Sequence, residues 1–157
     1  MPTKILKDFL DKNDVKYVTI NHSLAFTSQE IAATAHIKGK ELAKTVLIKI
    51  DGKLVMCVLP ASNKVDFDLL EKSLGGKNAR LANEVEFEDK FPECEVGAMP
   101  PFGNLYGLDI YAEESLAKDK EIAFNACSHT ELIQMSYLDF ERLAKPRMMK
   151  FSYHTKL

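Results

Sequence analysis

The chain has 157 residues, enough for one domain that buries about two-thirds of its extended surface. Its 46% hydrophobic and 28% charged residues are typical of globular proteins, and no apolar run approaches the roughly 20 residues of a membrane span. The net charge of −2 excludes a globally basic surface, so any contact with nucleic acid requires a local patch.

The first third of the chain predicts a helix, a strand and a second helix. Thr3 can cap the first helix, whose apolar residues fall on one side. The segment Val15–Ile20 is rich in β-branched and aromatic residues, which favours a short strand. Thr27 begins a capping box, which predicts a helix that continues to about His36.

The segment Ala43–Pro60 predicts a β-hairpin. Asp51 and Gly52 stand between two apolar runs, and a tight primed turn needs the positive φ that glycine adopts without strain. With these two residues as the turn, the expected opposite pairs are Ile50 with Lys53, Ile48 with Val55, Val46 with Cys57, and Lys44 with Leu59. Because side chains alternate along a strand and both faces of this hairpin are largely apolar, we expect both strands inside a sheet.

Lys44 stands at one end of an otherwise apolar stripe of this hairpin. A buried ammonium needs a partner or a wet cleft, since burying it alone is costly. One interpretation is therefore a lysine that works in a pocket. The other is a strand-end lysine whose ammonium reaches solvent. The residue pattern leaves both open.

The rest of the chain predicts helices and strands in an irregular order without a repeat. Asp66 can cap a helix that Gly75 ends, and Asn83 with Glu86 can open another. The further predicted elements are strands at Leu108–Ala112, Glu121–Cys127 and Glu131–Met135, and helices at Glu84–Phe91 and Tyr137–Leu143. This order predicts a single α+β domain with a mixed, mainly antiparallel and barrel-like sheet flanked by helices.

The three cysteines are an odd number and lack the CxxC spacing of a zinc site. Cys57 falls in the middle of a predicted strand. The N-terminus has mixed charges and lacks the apolar core of a signal peptide. These features predict reduced thiols in a cytoplasmic protein.

A loop rich in glycine and proline occupies Gly97–Asn104. Glycine lets a backbone come close to another molecule and consecutive prolines stiffen it, so the loop could hold a small polar ligand beside an exposed Phe102. The alternative is a rigid turn whose Phe102 fills the core, and the pattern favours that alternative. The loop is not a phosphate loop of either standard type.

Cys127, Ser128 and His129 follow a predicted strand and suggest a nucleophile with its base. Neighbours in an extended segment point to opposite faces, so Ser128 and His129 cannot readily meet. Cys127 and His129 share a face, but no third group orients them, and a simply buried cysteine is favoured. A metal site would need more ligands than this stretch offers.

Three stretches, in their order and spacing, resemble one known family. They are Leu42–Val46 with the hairpin after it, Val96–Gly103 and Asn125–His129. The resemblance is to the YbaK/EbsC family, freestanding relatives of the editing domain inserted in bacterial prolyl-tRNA synthetases. It extends from about Thr3 to Leu143, and its specific part is a Lys-Thr strand start combined with a Gly-x-x-x-Pro loop.

The resemblance implies hydrolysis of the ester that joins a wrong amino acid to the terminal ribose of a tRNA, most directly tRNA(Pro). In such relatives, the lysine that matches Lys44 is needed for deacylation, and the glycine that matches Gly97 fixes the aminoacyl group through its backbone. A water or a ribose hydroxyl attacks the ester, without a conventional side-chain nucleophile. Lys44 and Gly97 are therefore the expected catalytic residues. The expected substrate-binding residues are Thr27, Thr45, Met99, Pro101, Phe102, Gly103, Asn125, Ser128 and His129.

The resemblance also implies the acceptor end of a mischarged tRNA as partner, prolyl-tRNA synthetase as a second candidate partner, and no cofactor, metal or membrane. The rival interpretation is a non-catalytic module of the same fold that binds tRNA, a synthetase or a small metabolite. Relatives carry glycine or another small residue where this chain has Cys127, so the identity of the cleared amino acid is not carried over. The sequence does not indicate the oligomeric state.

The segment 146–157 is expected to be a basic tail on a domain formed by residues 1–145. It contains no acidic side chain, and its basic and aromatic residues are Arg147, Lys150, Phe151, Tyr153 and Lys156. Such a mixture is typical of surfaces that follow phosphates and stack on bases. The alternative, which chain ends generally favour, is a frayed and solubilising C-terminus.

Overall fold

The structure of the protein is a computed structural model that describes residues 4–22 and 37–154. Its strands are β1 Tyr17–Asn21, β2 Ala43–Ile50, β3 Lys53–Pro60, β4 Asn63–Val65, β5 Ala79–Leu81, β6 Ile110–Glu113, β7 Glu121–Ser128, β8 Glu131–Ser136, β9 Arg147–Met149 and β10 Ser152–His154. Its α-helices are α1 Lys4–Lys12, α2 Phe67–Leu74, α3 Glu84–Phe87 and α4 Tyr137–Ala144, and 3₁₀ turns occupy Glu88–Lys90, Gly103–Tyr106 and Glu114–Lys118. The predicted cap at Thr3 and the predicted helix from Thr27 to His36 lie outside the described residues. In the part of the chain that is described, no helix is long and apolar enough to span a membrane.

The predicted hairpin lies at the centre of the largest sheet. β2 and β3 pair in the expected antiparallel register, beginning with Ile50 opposite Lys53. Asp51 and Gly52 have φ angles of 49° and 83°, as a primed two-residue turn requires. The sheet order is β5-β2-β3-β6-β9, which confirms the prediction that both strands of the hairpin are interior.

Two smaller sheets complete the fold. β1, β8 and β7 form an antiparallel sheet in that order, and β4 pairs with β10 in another. The three-stranded sheet meets the large sheet where Leu42 forms a parallel bridge to Ala123 and the Ala123 N–H donates to the Glu41 carbonyl at 2.9 Å. Among the described strands, β3–β6 and β6–β9 are parallel and the other pairs antiparallel, which confirms an α+β domain with mainly antiparallel pairing. These strands do not close into one barrel.

The two faces of the hairpin cover different apolar clusters. Odd-numbered residues of β2 such as Leu47 face the main core, in which Phe102 is fully buried. Even-numbered residues such as Ile48 face a second cluster with Leu70 of α2 and with Phe151. Because each fully buried side chain of this size contributes roughly 1.5–3 kcal/mol, both clusters hold the hairpin in place.

The helix caps lie at the predicted residues, whereas one predicted helix is too long. The Asp66 carboxylate accepts from the Leu69 N–H at 3.0 Å, and Gly75 ends α2 with a φ of 71°. The predicted helix Glu84–Phe91 is wrong in its second half, because after Phe87 the backbone tightens into a 3₁₀ turn.

Four short strands have no counterpart in the predictions. They are β4, β5, β9 and β10, each of three residues. Their partners lie far away in sequence, as where Tyr153 of β10 lies opposite Lys64 of β4, so no local pattern marks them. β9 and β10 belong to the segment predicted as a basic tail, and Phe151 between them is fully buried. A frayed C-terminus is therefore wrong for the segment up to His154.

The prediction of three reduced thiols is wrong for two of the cysteines. Cys94 and Cys127 form a disulfide across 33 residues, which joins the start of the Gly97 loop to the end of β7. Cys57 is a free and fully buried thiol, and burial raises its pKa to about 12. Cys57 therefore stays protonated at neutral pH.

Candidate active site

β2 and β7 come together at the bridge between Leu42 and Ala123. These two residues belong to a small apolar cluster that is separate from the main core. Side chains alternate along both strands, so Lys44 and Asn125, each two residues further along, project on the same side as this cluster. The fold thus brings two of the predicted site residues to one face.

Lys44 is half-buried at this face. Burial, as the larger cause, and the positive charge of Lys64, as the smaller one, lower the pKa of the Lys44 ammonium. None of the carboxylates in residues 4–22 and 37–154 forms an ion pair with it. Both influences disfavour the charged form of the lysine, and no carboxylate among the described residues offsets them. A bound anion would supply the missing negative charge and stabilise the ammonium.

Asn125 places a side-chain carbonyl at the same face. Its Oδ1 atom is buried and has no hydrogen-bond partner among the described residues. A buried acceptor without a donor costs about 1–3 kcal/mol, which a donor on a bound molecule would offset. Thr45 lies across from Val58 and projects from the opposite face of β2, away from Lys44.

β7 changes direction at Cys127. The register with β8 shifts between Asn125 and Ser128, and Cys127 has a φ of 66°. Glycine adopts this left-handed conformation without strain and other residues rarely do. A glycine at this position would avoid this strain, and in this chain the side chain of Cys127 is used in the bond to Cys94.

Several bonds fasten the Gly97 loop to the end of β7. The Cys127 N–H donates to the Ala98 carbonyl at 2.9 Å, in addition to the disulfide at Cys127. The ring of His129 is buried and hydrogen-bonds through Nε2 to the Val96 carbonyl at 2.7 Å. Gly97 is held between these attachment points.

Gly97 is the position where the loop is open to a ligand. It is exposed, whereas residues 98–103 are buried. Its φ of 85° would strain any other residue, and a β-carbon there would lie 3.5 Å from Cε1 of His129. Glycine therefore keeps the loop backbone accessible at this point, while the imidazole of His129 lies buried behind it.

The other predicted residues of this loop point into the protein. Met99, Pro101, Phe102 and Gly103 are all buried. The Phe102 ring makes edge contacts with the rings of Phe9, Phe124 and Phe140 at centroid distances of 5.6–5.8 Å. The interpretation in which Phe102 fills the core is confirmed, and an exposed phenylalanine is wrong.

Neither Cys127 nor Ser128 is available as a nucleophile in this state. The sulfur of Cys127 is bonded to Cys94. The Ser128 Oγ shares a hydrogen bond with the Thr130 Oγ1 at 3.0 Å and accepts from the Thr130 N–H at 3.1 Å, so it stabilises the turn into β8. Among the predicted polar residues, Lys44 therefore supplies the charge at this face and Asn125 a side-chain carbonyl.

Sequence reasoning missed Lys64 and the disulfide. Lys64 lies in a three-residue strand whose partner is distant in sequence, so nothing local indicates its approach to Lys44. The odd number of cysteines argued against a disulfide, although two of the three can still pair. Thr27, the remaining predicted residue, lies outside the described residues.

Comparisons with known proteins identify the family of the chain. A family model described as the aminoacyl-tRNA editing domain matches residues 22–143. The multifunctional Ser/Thr-tRNA deacylase ProXp-y of Escherichia coli (strain K12) is 32% identical over 127 residues, 76% of this chain and 75% of that protein. The proline–tRNA ligase of Bacillus mycoides (strain KBAB4) is 26% identical over 100 residues, 64% of this chain and 17% of the ligase. A crystal structure of a candidate trans-editing enzyme for prolyl tRNA synthetase has the same fold, with a TM-score of 0.82 at 17% identity and 97% of both chains covered. The chain therefore belongs to the aminoacyl-tRNA editing domain family, and its activity is the deacylation of aminoacyl-tRNA.

Proposed function

We propose that this deacylase clears mischarged tRNA in trans and that Lys44 is its catalytic cation. The observation that supports this most is a half-buried Lys44 without a carboxylate partner among the described residues, in a chain with 23 acidic residues. An ammonium in this position can stabilise the negative charge that develops on the carbonyl oxygen of the ester. One such interaction typically contributes about 10²–10³ in rate.

The reaction is the hydrolysis of the ester between the amino acid and the terminal ribose. A water attacks the carbonyl carbon and gives up a proton, and the adjacent ribose hydroxyl can orient that water. Alternatively, the adjacent hydroxyl attacks first, which transfers the aminoacyl group from one ribose oxygen to the other, and water then cleaves the new ester. The carbonyl oxygen carries the negative charge beside Lys44 until the bond to the ribose oxygen breaks. The ribose oxygen leaves with a proton, so the products are a free amino acid and an uncharged tRNA. Positioning and charge stabilisation suffice for this chemistry.

The other site residues hold the aminoacyl group. Gly97 offers exposed backbone groups to it, and the Oδ1 of Asn125 accepts from its amino group. His129 borders the amino-acid pocket behind Gly97. The remaining residues that we propose to shape the pocket, directly or by supporting its loop and strands, are Thr27, Thr45, Met99, Pro101, Phe102, Gly103 and Ser128.

We further propose tRNA(Pro) as the substrate tRNA, prolyl-tRNA synthetase as a partner and the cytoplasm as the place of action. The likeness to a proline–tRNA ligase and to the fold of a candidate trans-editing enzyme for prolyl tRNA synthetase supports the tRNA and the partner. The relative from Escherichia coli is named as a Ser/Thr-tRNA deacylase, so serine and threonine are the first amino acids to test.

A panel of mischarged tRNAs tests the proposal against a module that only binds. The full chain, at one-hundredth of the substrate concentration, would be mixed with tRNA(Pro) carrying serine, threonine, alanine, cysteine or proline, and ester loss followed with time. We expect many turnovers on at least one mischarged tRNA(Pro) and none on the correctly charged one. Saturable binding without ester loss on the whole panel would decide for the binding module.

A further inference from the structure

A second cleft, of about 520 Å³, opens next to the candidate active site. Pro60 lines one side of it and lies opposite Ala43, the residue before Lys44. The other sides come from β4, β10 and the 3₁₀ turn Glu114–Lys118. The cleft therefore lies at the same end of the hairpin as Lys44.

The rim of the cleft is positively charged. Lys40, Lys118 and Lys150 line it, and all three are exposed. No ion pair engages any of them within residues 4–22 and 37–154. The cleft also contains two carboxylates, and one of them, Glu113, is already occupied by the Phe151 N–H at 2.8 Å. The rim thus offers three cations to a chain of phosphates.

Two polar atoms of the residues that line the cleft have no hydrogen-bond partner in the described part of the chain. The Oγ of Ser115 and the Oδ2 of Asp119 are buried, and neither has a hydrogen bond among the described residues. Burial, as the largest cause, raises the pKa of Asp119, whereas the positive charge of Lys40 lowers it. Neither atom is open to solvent in this conformation, so a ligand hydroxyl, which donates one hydrogen bond and accepts another, would satisfy them once the two side chains rotate towards the cleft.

An aromatic side chain stands at the mouth. Tyr153 lines the cleft and is 52% exposed, so its ring is accessible to a ligand at this point. It lies opposite Lys64, the same lysine whose charge acts on Lys44. Exposed rings beside cations are the surfaces on which bases of single-stranded nucleic acids stack.

We propose that this cleft binds a ribonucleotide unit of the tRNA strand that leads to the aminoacylated end. The three lysines would contact phosphates, Ser115 and Asp119 would contact the ribose 2′-hydroxyl, and Tyr153 would stack on a base. The 2′-hydroxyl is the group by which a protein distinguishes RNA from DNA. This inference rests on the proposed function, since it names how the substrate of that site is held.

The test compares RNA with DNA. Fluorescence anisotropy would measure binding of the full chain to a labelled tetranucleotide of RNA and to the DNA of the same sequence. We expect RNA to bind about fivefold more tightly, the equivalent of one or two hydrogen bonds. Ser115→Ala and Asp119→Ala should remove this preference, whereas Asp119→Asn, which keeps an acceptor oxygen, should retain it.

The lysines should act differently. Lys150→Ala should weaken RNA and DNA equally and lower the slope of log affinity against log salt by about 0.7 for each lost phosphate contact on a single strand. Lys53→Ala is the matched control, because Lys53 is an exposed lysine that is paired with Asp109 outside the cleft. It should change neither the affinity nor the slope.

Two outcomes would overturn the inference, and neither depends on the proposed activity. Equal affinity of the unaltered protein for RNA and DNA would exclude a 2′-hydroxyl contact. Adenosine monophosphate that binds as tightly as the tetranucleotide would indicate a site for free nucleotides. Hydrolysis of 3′-aminoacyl-adenosine, which is too short to reach the cleft, reports on the active site alone. Its absence in the unaltered protein would count against the proposed function, not against the cleft.

Discussion

The two ends of the β2–β3 hairpin differ in how well their residues are matched to their surroundings. At the turn, Asp51 and Gly52 adopt the positive φ that suits them, and the Asp51 carboxylate accepts from two backbone N–H groups, those of Lys77 and Asn78, in the loop between α2 and β5. Nearby, Glu86 forms ion pairs with Lys49 and Arg80. At the open end, the Lys44 ammonium has no carboxylate partner and the buried Asn125 Oδ1 has no hydrogen-bond donor among the described residues, and Cys127 is a non-glycine residue at positive φ.

The difference is in line with the proposal that the open end is the functional one. The same strand carries Lys49 in an ion pair and Lys44, five residues earlier, in none among the described residues. Because the chain has 23 acidic and 21 basic residues, a shortage of carboxylates does not explain the lack of an ion pair at Lys44 among the described residues. Local conflicts of this kind are expected where a site is built for a ligand and not for the free protein.

The largest effect should follow from removing the Lys44 ammonium, which pairs with no carboxylate among the described residues. Lys44→Ala is expected to slow deacylation about a thousandfold, since it removes the charge that stabilises the oxyanion. Thermal unfolding should move by only a few degrees, equivalent to about 1 kcal/mol in a domain of this size. Single-turnover ester loss and a melting curve on the same protein measure both.

Lys49→Ala is the matched control for that experiment. It removes a lysine from the same strand, and its deacylation rate should stay within about twofold of the unaltered protein, because Lys49 lies towards the turn end and its partly exposed ion pair with Glu86 is long, at 3.9 Å. A fully active Lys44→Ala protein would contradict the assignment. Equal losses in both variants would show that the hairpin, and not the charge, is needed.

The next largest effect concerns the disulfide. Cys94→Ala opens a loop of about 33 residues, which by chain entropy lowers the free energy of unfolding by roughly 3–4 kcal/mol. A melting temperature about 6–16 °C lower follows for a chain of this length. Reductant should lower the melting temperature of the unaltered protein to that of the variant and leave the variant unchanged. A reductant effect of equal size on both proteins would mean that some other group responds.

A smaller effect should follow from placing a carboxylate beside Lys44, which forms no ion pair within residues 4–22 and 37–154. Lys64→Glu replaces a charge that lowers the pKa of Lys44 by one that raises it, so the lysine is neutralised by a carboxylate. We expect hydrolysis of 3′-aminoacyl-adenosine to fall about threefold to fivefold, the size of an exposed ion pair. Lys64→Gln removes only the repulsion and should leave the rate unchanged or slightly higher. A rate that falls equally in both variants would indicate loss of a Lys64 contact instead.

The smallest effect is expected at the turn end. The hydrogen bond from Arg80, and next that from the Asn83 N–H, lower the pKa of Glu86 to about 2. A lowered carboxylate pKa adds stability above the ordinary value near 4.5, and this stability is lost as the pH falls towards 2. Glu86→Gln should therefore melt slightly below the unaltered protein at pH 7, and the gap should narrow between pH 5 and pH 3. Deacylation should be unchanged, and a gap that is constant with pH would contradict the ion pair as its cause.

The sequence alone predicts the structure at the turn end of the β2–β3 hairpin, but it does not predict the contacts at the open end. Asp51 and Gly52 determine a local geometry, and that geometry determines which residues of β2 and β3 lie opposite each other. The candidate catalytic residues Lys44 and Gly97 were found through the family resemblance, because a single lysine in an apolar stripe is compatible with both a pocket and solvent. The approach of Lys64, the bond from Cys94 and the lysines of the second cleft arise from contacts between distant segments. No pattern of neighbouring residues contains them.

The pairing of β4 with β10 has a consequence for the order in which the protein forms. Asn63 and Ser152 are 89 residues apart in the chain, whereas the residues of the β2–β3 hairpin meet across a two-residue turn. Closing a long loop costs more entropy than closing a short one, and pairings between distant segments form late. On refolding, the strand that carries Lys44 should therefore gain its partner well before the second cleft gains its last wall. A folding chain should therefore form the strand with the proposed catalytic Lys44 before it completes the cleft that we propose binds a ribonucleotide.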